Sequence, residues 1–242
     1  LTPNWEKSYH LPMTFEDCYL GCTNADLDQV PAAWGGYGFN TQSTGIYVFN
    51  IPEDNYVLHI TNSPDLIFSK GYVNWGDGSI TRLTSEDLTH TYAKAGLYEV
   101  KAQCIPGGKD TPLLCADSLI EVKQLPTEAH NFNTCFSGAK NLQKVTAHNL
   151  VFGSNGIKSM FNGCTNLKEI IGTETWDVSQ ISDIGSVFAN CSSLEFVDVA
   201  DWNVSNCSNF FNIFYNCKKL TGLNVSKWDT KKAVNMQTVF SG

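Results

Sequence analysis

Between residues 45 and 124 apolar side chains alternate with polar ones in short runs: Tyr47-Val-Phe49, Val57-Leu-His-Ile60, Tyr72-Val-Asn-Trp75, Tyr98-Glu-Val100 and Leu119-Ile-Glu-Val122. Alternation with a period of two marks a strand with one face in a core. Turn signals separate the runs, at Asn62-Ser-Pro64, Gly76-Asp-Gly78, Pro106-Gly-Gly108 and Thr111-Pro112. Several short strands punctuated in this way predict a β-sandwich.

From residue 130 the pattern becomes repetitive. Phe136, Phe161, Phe188, Phe214 and Phe240 recur at intervals of 25, 27, 26 and 26. Three of them open one phrase: Phe161-Asn-Gly-Cys164-Thr-Asn-Leu167, Phe188-Ala-Asn-Cys191-Ser-Ser-Leu194 and Phe214-Tyr-Asn-Cys217-Lys-Lys-Leu220. A second column, Trp176, Trp202 and Trp228, runs in step at intervals of 26 and 26. Within a repeat, Ile184, Val187, Phe188 and Cys191 fall at i, i+3, i+4 and i+7, the spacing of one helix face. Leu194-x-x-Val197-x-Val199 and Leu220-x-x-Leu223-x-Val225 then carry the strand signature of a leucine-rich repeat. Strands are predicted near 142–146, 167–171, 194–199 and 220–225, each followed by a turn and a short helix. No single repeat can bury its own apolar face, so about four must stack. The expected fold class is α+β and multi-domain: a segment 1–44 of unassigned fold, a β-sandwich over 45–124, and a leucine-rich-repeat solenoid over 125–242.

Two resemblances follow from these residues. Trp75-Gly-Asp-Gly-Ser79, His90-Thr-Tyr92 and Ala95-Gly-Leu-Tyr98-Glu-Val100 together resemble the PKD-type immunoglobulin-like domain. The repeat phrase resembles the BspA-like leucine-rich repeats of bacterial surface proteins, with Ala139 in the Cys column, Asn149 where a Trp would fall and Cys207 at an aliphatic position. The second resemblance implies an extracellular or cell-surface location and attachment to host proteins, matrix or other cells. PKD-like domains accompany glycan-degrading enzymes, which implies a carbohydrate-binding accessory module as the alternative.

Charge narrows the partners. The chain of 242 residues has a formal net charge of −8, and Arg82 is its one arginine. Residues 1–125 hold 7 Lys+Arg against 15 Asp+Glu, and residues 126–242 hold 9 of each, so the acidic excess lies in the first half. Nucleic-acid binding requires a basic stripe and is excluded. No apolar run approaches the ~18 residues of a membrane span. The chain opens Leu1-Thr2-Pro3, which reads as a mature segment whose targeting peptide has been removed.

Candidate chemistry is sparse. The histidines at 10, 59, 90, 130 and 148 do not cluster at metal spacing, and no nucleophile or nucleotide motif is present, so neither catalysis nor a cofactor is expected. Cys164, Cys191 and Cys217 share one column, and buried thiols are favoured there over a disulfide or metal. Cys104 and Cys115 flank a Pro-Gly-Gly turn and could bridge, and Cys18 and Cys22 form a weaker pair. Trp75 is expected in the sandwich core and Asp77 bonded to its own turn rather than to calcium. Tyr98 is expected buried, its hydroxyl on backbone. The column Trp176, Trp202 and Trp228 reads as a packing spine or as an aromatic ladder for sugars. Four Asn-x-Ser sequons, at Asn190, Asn203, Asn206 and Asn224, fall inside the repeat consensus. The expected ligand surface is the outward side of the strands: Lys168, Glu169, Glu195, Phe196, Asp198, Thr221 and Asn224. Binding of a host, matrix or other cell-surface protein there is the expected function.

Overall fold

The computed structural model describes residues 44–60, 72–82, 88–103, 117–127, 129–154 and 156–242. Expectations for the N-terminal segment, for Cys18 and Cys22, and for the Cys104–Cys115 bridge lie outside the described residues.

The predicted alternation produces strands. β1 (Thr44–Ile51) buries Tyr47, Phe49 and Ile51. It pairs antiparallel on one side with β6 (Gly96–Gln103) and on the other with β7 (Leu119–Gln124). β3 (Tyr72–Asn74) and β4 (Ile80–Arg82) extend the sheet beyond β6. β2 (Tyr56–Ile60) and β5 (Leu88–Tyr92) form a separate two-stranded sheet. Trp75, Tyr92, Leu58 and Phe49 share the core.

The large sheet does not stop at the predicted domain boundary. β8 (Lys144–Thr146) pairs parallel with β7, placing Val145 beside Val122, and β9 (Glu169–Ile171) pairs parallel with β8. The order is therefore β4-β3-β6-β1-β7-β8-β9, one mixed sheet, and all described residues belong to one compact unit. Among the described residues there is no α-helix; regular helix is limited to a 3₁₀ turn at Thr173–Thr175. These findings overturn the α+β, multi-domain expectation of a sandwich followed by a separate leucine-rich-repeat solenoid.

The helix fails for a specific reason. Ser159, Phe161 and Gly163 donate their amides to the carbonyls of Gly185, Val187 and Ala189, one repeat along, at 2.8–3.0 Å. The alternate amides turn back three residues, as Met160 to Ile157 and Cys164 to Phe161. An α-helix would send every amide back four residues. Left-handed backbone recurs every fourth residue, at Ser159 and Gly163, Ser186 and Asn190, Asn212 and Asn216, and right-handed helix cannot pass through such positions. Two successive turns repeat at nearly helical spacing, so Ile184, Val187, Phe188 and Cys191 are all buried without a helix.

The strands also fade along the stack. β8 and β9 form where expected. In the third repeat only Phe196 bridges, to Glu169, and the fourth adds one amide, Thr221 to the Glu195 carbonyl at 3.1 Å. The predicted strands at 194–199 and 220–225 are absent. Asp198 and Asn224 accept the amides two residues on, of Ala200 and Ser226, and so bend the chain off the ladder. The strand face then contributes little, and side-chain stacks join the turn ladder in carrying the repeats. Phe136, Phe161, Phe188, Phe214 and Phe240 stack face to face at 5.6–6.0 Å, within the range of favourable aromatic pairs.

Two substitutions should separate the contributions. Leu194 is fully buried, and Leu194→Ala should lower unfolding free energy by about 2–5 kcal/mol in urea titration. The Thr173 hydroxyl is buried with no hydrogen-bond partner among the described residues, and Ala147 and Val199 fill the matching places. Thr173→Val should therefore raise stability, by about 1 kcal/mol.

Candidate functional site

The outward side of β8, β9 and the following extended segment is built by strand parity. Val145 and Ile170 point into the core, so Lys144 with Glu169, and Thr146 with Ile171, face out in paired rows. Phe196 continues the first row beside Glu169 and Asp198 continues the second. Gly172 ends β9 at φ 99°, and a Cβ there would lie 2.2 Å from the Ala147 carbonyl oxygen, so only glycine closes this corner.

Lys144, Glu169, Ile171, Phe196 and Asp198 line a shallow cavity of about 590 Å³. Of the expected surface, the structure brings Lys168, Glu169, Glu195, Phe196 and Asp198 into it. Thr221 and Asn224 fall outside: the Thr221 hydroxyl reaches the Glu195 carbonyl, and Asn224 Oδ1 accepts from the Ser226 amide and hydroxyl. Six further lining residues were not foreseen, namely Gln143, Lys144, Ile170, Ile171, Gly172 and Glu174. Ile171 was detectable in the sequence, because an apolar residue at outward parity in a strand has no core to enter. Phe196 is 54% exposed and Ile171 37%, an apolar pair inside a charged rim. Lys144 Nζ lies 3.0 Å from Glu169 Oε1 with both partly solvated, an ion pair that contributes little stability.

The Trp column does not face solvent. Trp176 and Trp202 are buried, Trp228 is half-buried, and the rings stack at 6.0 and 6.3 Å. Each indole N–H donates to a backbone carbonyl, of Ala147, Thr173 and Val199, at 2.7–2.9 Å. The column is a packing spine, and the buried rings offer no ladder to a sugar. The first repeat places Leu150 in this column, since Val151 pairs with Asp177; Asn149 is displaced by one residue and exposed.

Cys164, Cys191 and Cys217 are thiols. Their Sγ–H groups donate to the carbonyls of Phe136, Phe161 and Phe188, at 3.0–3.1 Å. Cys207 does the same to Ile181 at 3.1 Å. Cys217 is half-buried where full burial was expected. Burial pushes the Cys217 thiol up to about 11 and, with the nearby Asp183 charge, the Cys207 thiol up to about 12. Burial, reinforced by Cys164 and Cys217, raises the Cys191 thiol well above its ordinary value.

A second cluster lies at the Gly-Asp-Gly turn. Asp77 Oδ1 accepts from the Ser79 amide at 3.0 Å and hydroxyl at 2.6 Å, and its Oδ2 lies 2.7 Å from His90 Nε2. The His90 ring stacks on Trp75 at 4.6 Å. Ser79 Oγ is 3.5 Å from the same Nε2, so His, Ser and Asp meet here. They do not form a hydrolytic triad, which requires serine and carboxylate on opposite ring nitrogens. Gly76 sits at φ 81° with the Glu99 carbonyl oxygen 2.5 Å from where a Cβ would be. The buried tyrosine is Tyr92, whose hydroxyl donates to the Trp75 carbonyl at 2.9 Å; Tyr98 is only half-buried, and its hydroxyl reaches Lys94 O at 2.9 Å. Among the described residues no group of three His, Cys, Asp or Glu is placed to hold a metal, and no helix is long and apolar enough to cross a membrane.

Residues 130–242 match a family described as "Mycoplasma protein of unknown function, DUF285". The match covers the repeats, just under half of the chain. No curated protein and no solved structure matches.

Two outcomes are expected here. Thiol labelling of Cys191 should be slow in the folded protein and complete after denaturation without reductant; a disulfide mapped to this column would overturn the assignment. Burial pushes the Asp77 carboxyl up, but the Ser79 hydroxyl and amide and the His90 ring outweigh it, so it sits below the usual value. A carboxylate with a lowered folded-state pKa contributes stability that is complete above its unfolded pKa of about 4 and is lost as pH falls through the lower folded value. Asp77→Asn should therefore flatten the acid side of the thermal-melting profile relative to wild type.

Proposed function

We propose that this protein is a non-enzymatic, extracellular binding module of a bacterial surface protein, and that the outward face of β8, β9 and residues 195–198 takes a protein ligand. The carrying observation is the apolar pair Phe196 and Ile171, exposed inside a concave surface whose rim is charged. Protein interfaces have this composition, an apolar centre within a hydrogen-bonding rim. The turn ladder and ring stacks support a rigid platform, which lowers the entropic cost of binding. Resemblance of the repeat phrase to BspA-like surface proteins, and of the Trp-Gly-Asp-Gly motif to PKD-type domains, supports a cell-surface setting and a host, matrix or cell-surface partner. A carbohydrate module built on the Trp column has no such support, because Trp176 and Trp202 are buried.

The test is Phe196→Ala combined with Glu195→Lys. Both side chains are exposed, so melting should not change. Binding to immobilised matrix proteins and to whole cells should fall about tenfold or more, as loss of a central aromatic anchor does. Wild-type binding by the double variant would place the ligand elsewhere.

A further inference from the structure

We infer that the partner presents a basic, extended segment to this face, with an apolar side chain and a lysine or arginine two residues apart. The inference rests on the reading above that the face binds a protein, and it adds the chemistry of the segment bound.

Charge is unevenly placed. The repeats carry no net charge between residues 126 and 242, yet the cavity is lined by two lysines, Lys144 and Lys168, against four carboxylates, Glu169, Glu174, Glu195 and Asp198, a net of −2. Lys144 and Glu169 neutralise one another at 3.0 Å. That leaves Lys168 and three carboxylates, Glu174, Glu195 and Asp198, in the lining. A concave, partly desolvated wall focuses such a field onto an incoming cation.

Spacing sets the shape of the segment. Phe196 and Asp198 are two residues apart in sequence and both line the cavity; in extended backbone, alternate side chains project about 6.8 Å apart on one side. An extended partner with an apolar residue at one position and a cation two residues on matches both. Ile171, in the same outward row as Asp198, widens the apolar contact. An acidic segment would meet three carboxylates, and a neutral one would leave them desolvated without compensation.

The test uses the full chain and three immobilised nine-residue peptides. The first is Lys-Thr-Phe-Thr-Lys-Thr-Phe-Thr-Lys, the second has Glu at each Lys position, and the third has Ser at each Phe position. The variants are Phe196→Ala and the pair Glu195→Gln with Asp198→Asn. Asn224 accepts the Ser226 amide as Asp198 accepts that of Ala200, so the asparagine keeps the turn. The first peptide should bind about tenfold more tightly than either control and weaken as salt is raised. The charge variant should lose about tenfold on the first peptide and lose its salt dependence. Equal binding of the acidic peptide, or an unchanged charge variant, overturns the basic segment. The binding face itself survives that result if Phe196→Ala still weakens both aromatic peptides. Binding of the first peptide that is indifferent to every variant removes the inference and the face together. Failure of all three peptides to bind overturns the inference alone, with the matrix-protein and cell assay deciding the face.

Discussion

In the repeats, alternate backbone amides leave their own turn and donate to a carbonyl one repeat away. This requires left-handed backbone at every fourth residue, which Gly163, Asn190 and Asn216 accept readily and Ser159 and Ser186 accept at some cost. Once the amides point along the stack, the side chains between them come into register. The Phe rings lie face to face, the Trp indoles follow, and Asn190 and Asn216 pass amide hydrogen bonds at 3.1 Å from one repeat to the next. Strand pairing on the other side becomes secondary, which is why the outward face can spend its positions on Phe196 and Asp198.

That arrangement also absorbs the uneven repeat lengths. Val145 pairs with Ile170, 25 residues on, Val151 with Asp177, 26 on, and Glu169 bridges Phe196, 27 on. The differences fall in the corners between pairing segments, so each ladder keeps its register. The Asx turns at Asp177, Asn203 and Asp229 hold one such corner at a constant shape through amide bonds of 2.9–3.3 Å. The sequons at Asn203 and Asn224 belong to this turn chemistry.

Much of this was legible in the sequence. Period-two runs located β1, β2, β3, β6 and β7, and the Phe, Trp and Leu columns named core residues. The element type was not legible for Ile184–Cys191, because consecutive reversing turns bury the same i, i+3, i+4, i+7 set as a helix. The continuous sheet was missed because the pairing of Val122 with Val145 is parallel and carries no local signal. Tyr98 was read as the buried ring in place of Tyr92, since both belong to the same motif and only β2–β5 packing distinguishes them. At the candidate face, Phe196 was visible as an outward aromatic. Lys144 has the same outward parity as Glu169 and was open to the same reading, whereas Glu174 enters from the 3₁₀ turn after β9, which the sequence did not announce.

The thiol column bears on the medium in which the fold can operate. Cys164, Cys191 and Cys207 are buried, and each of their sulfurs is turned toward the carbonyl of an earlier repeat. Thiolate is the species that attacks a disulfide, and at Cys191 and Cys207 burial suppresses it. The buried part of the column is thus a poor substrate for thiol–disulfide exchange. It needs no oxidant to mature and gives glutathione no bond to cut in that column.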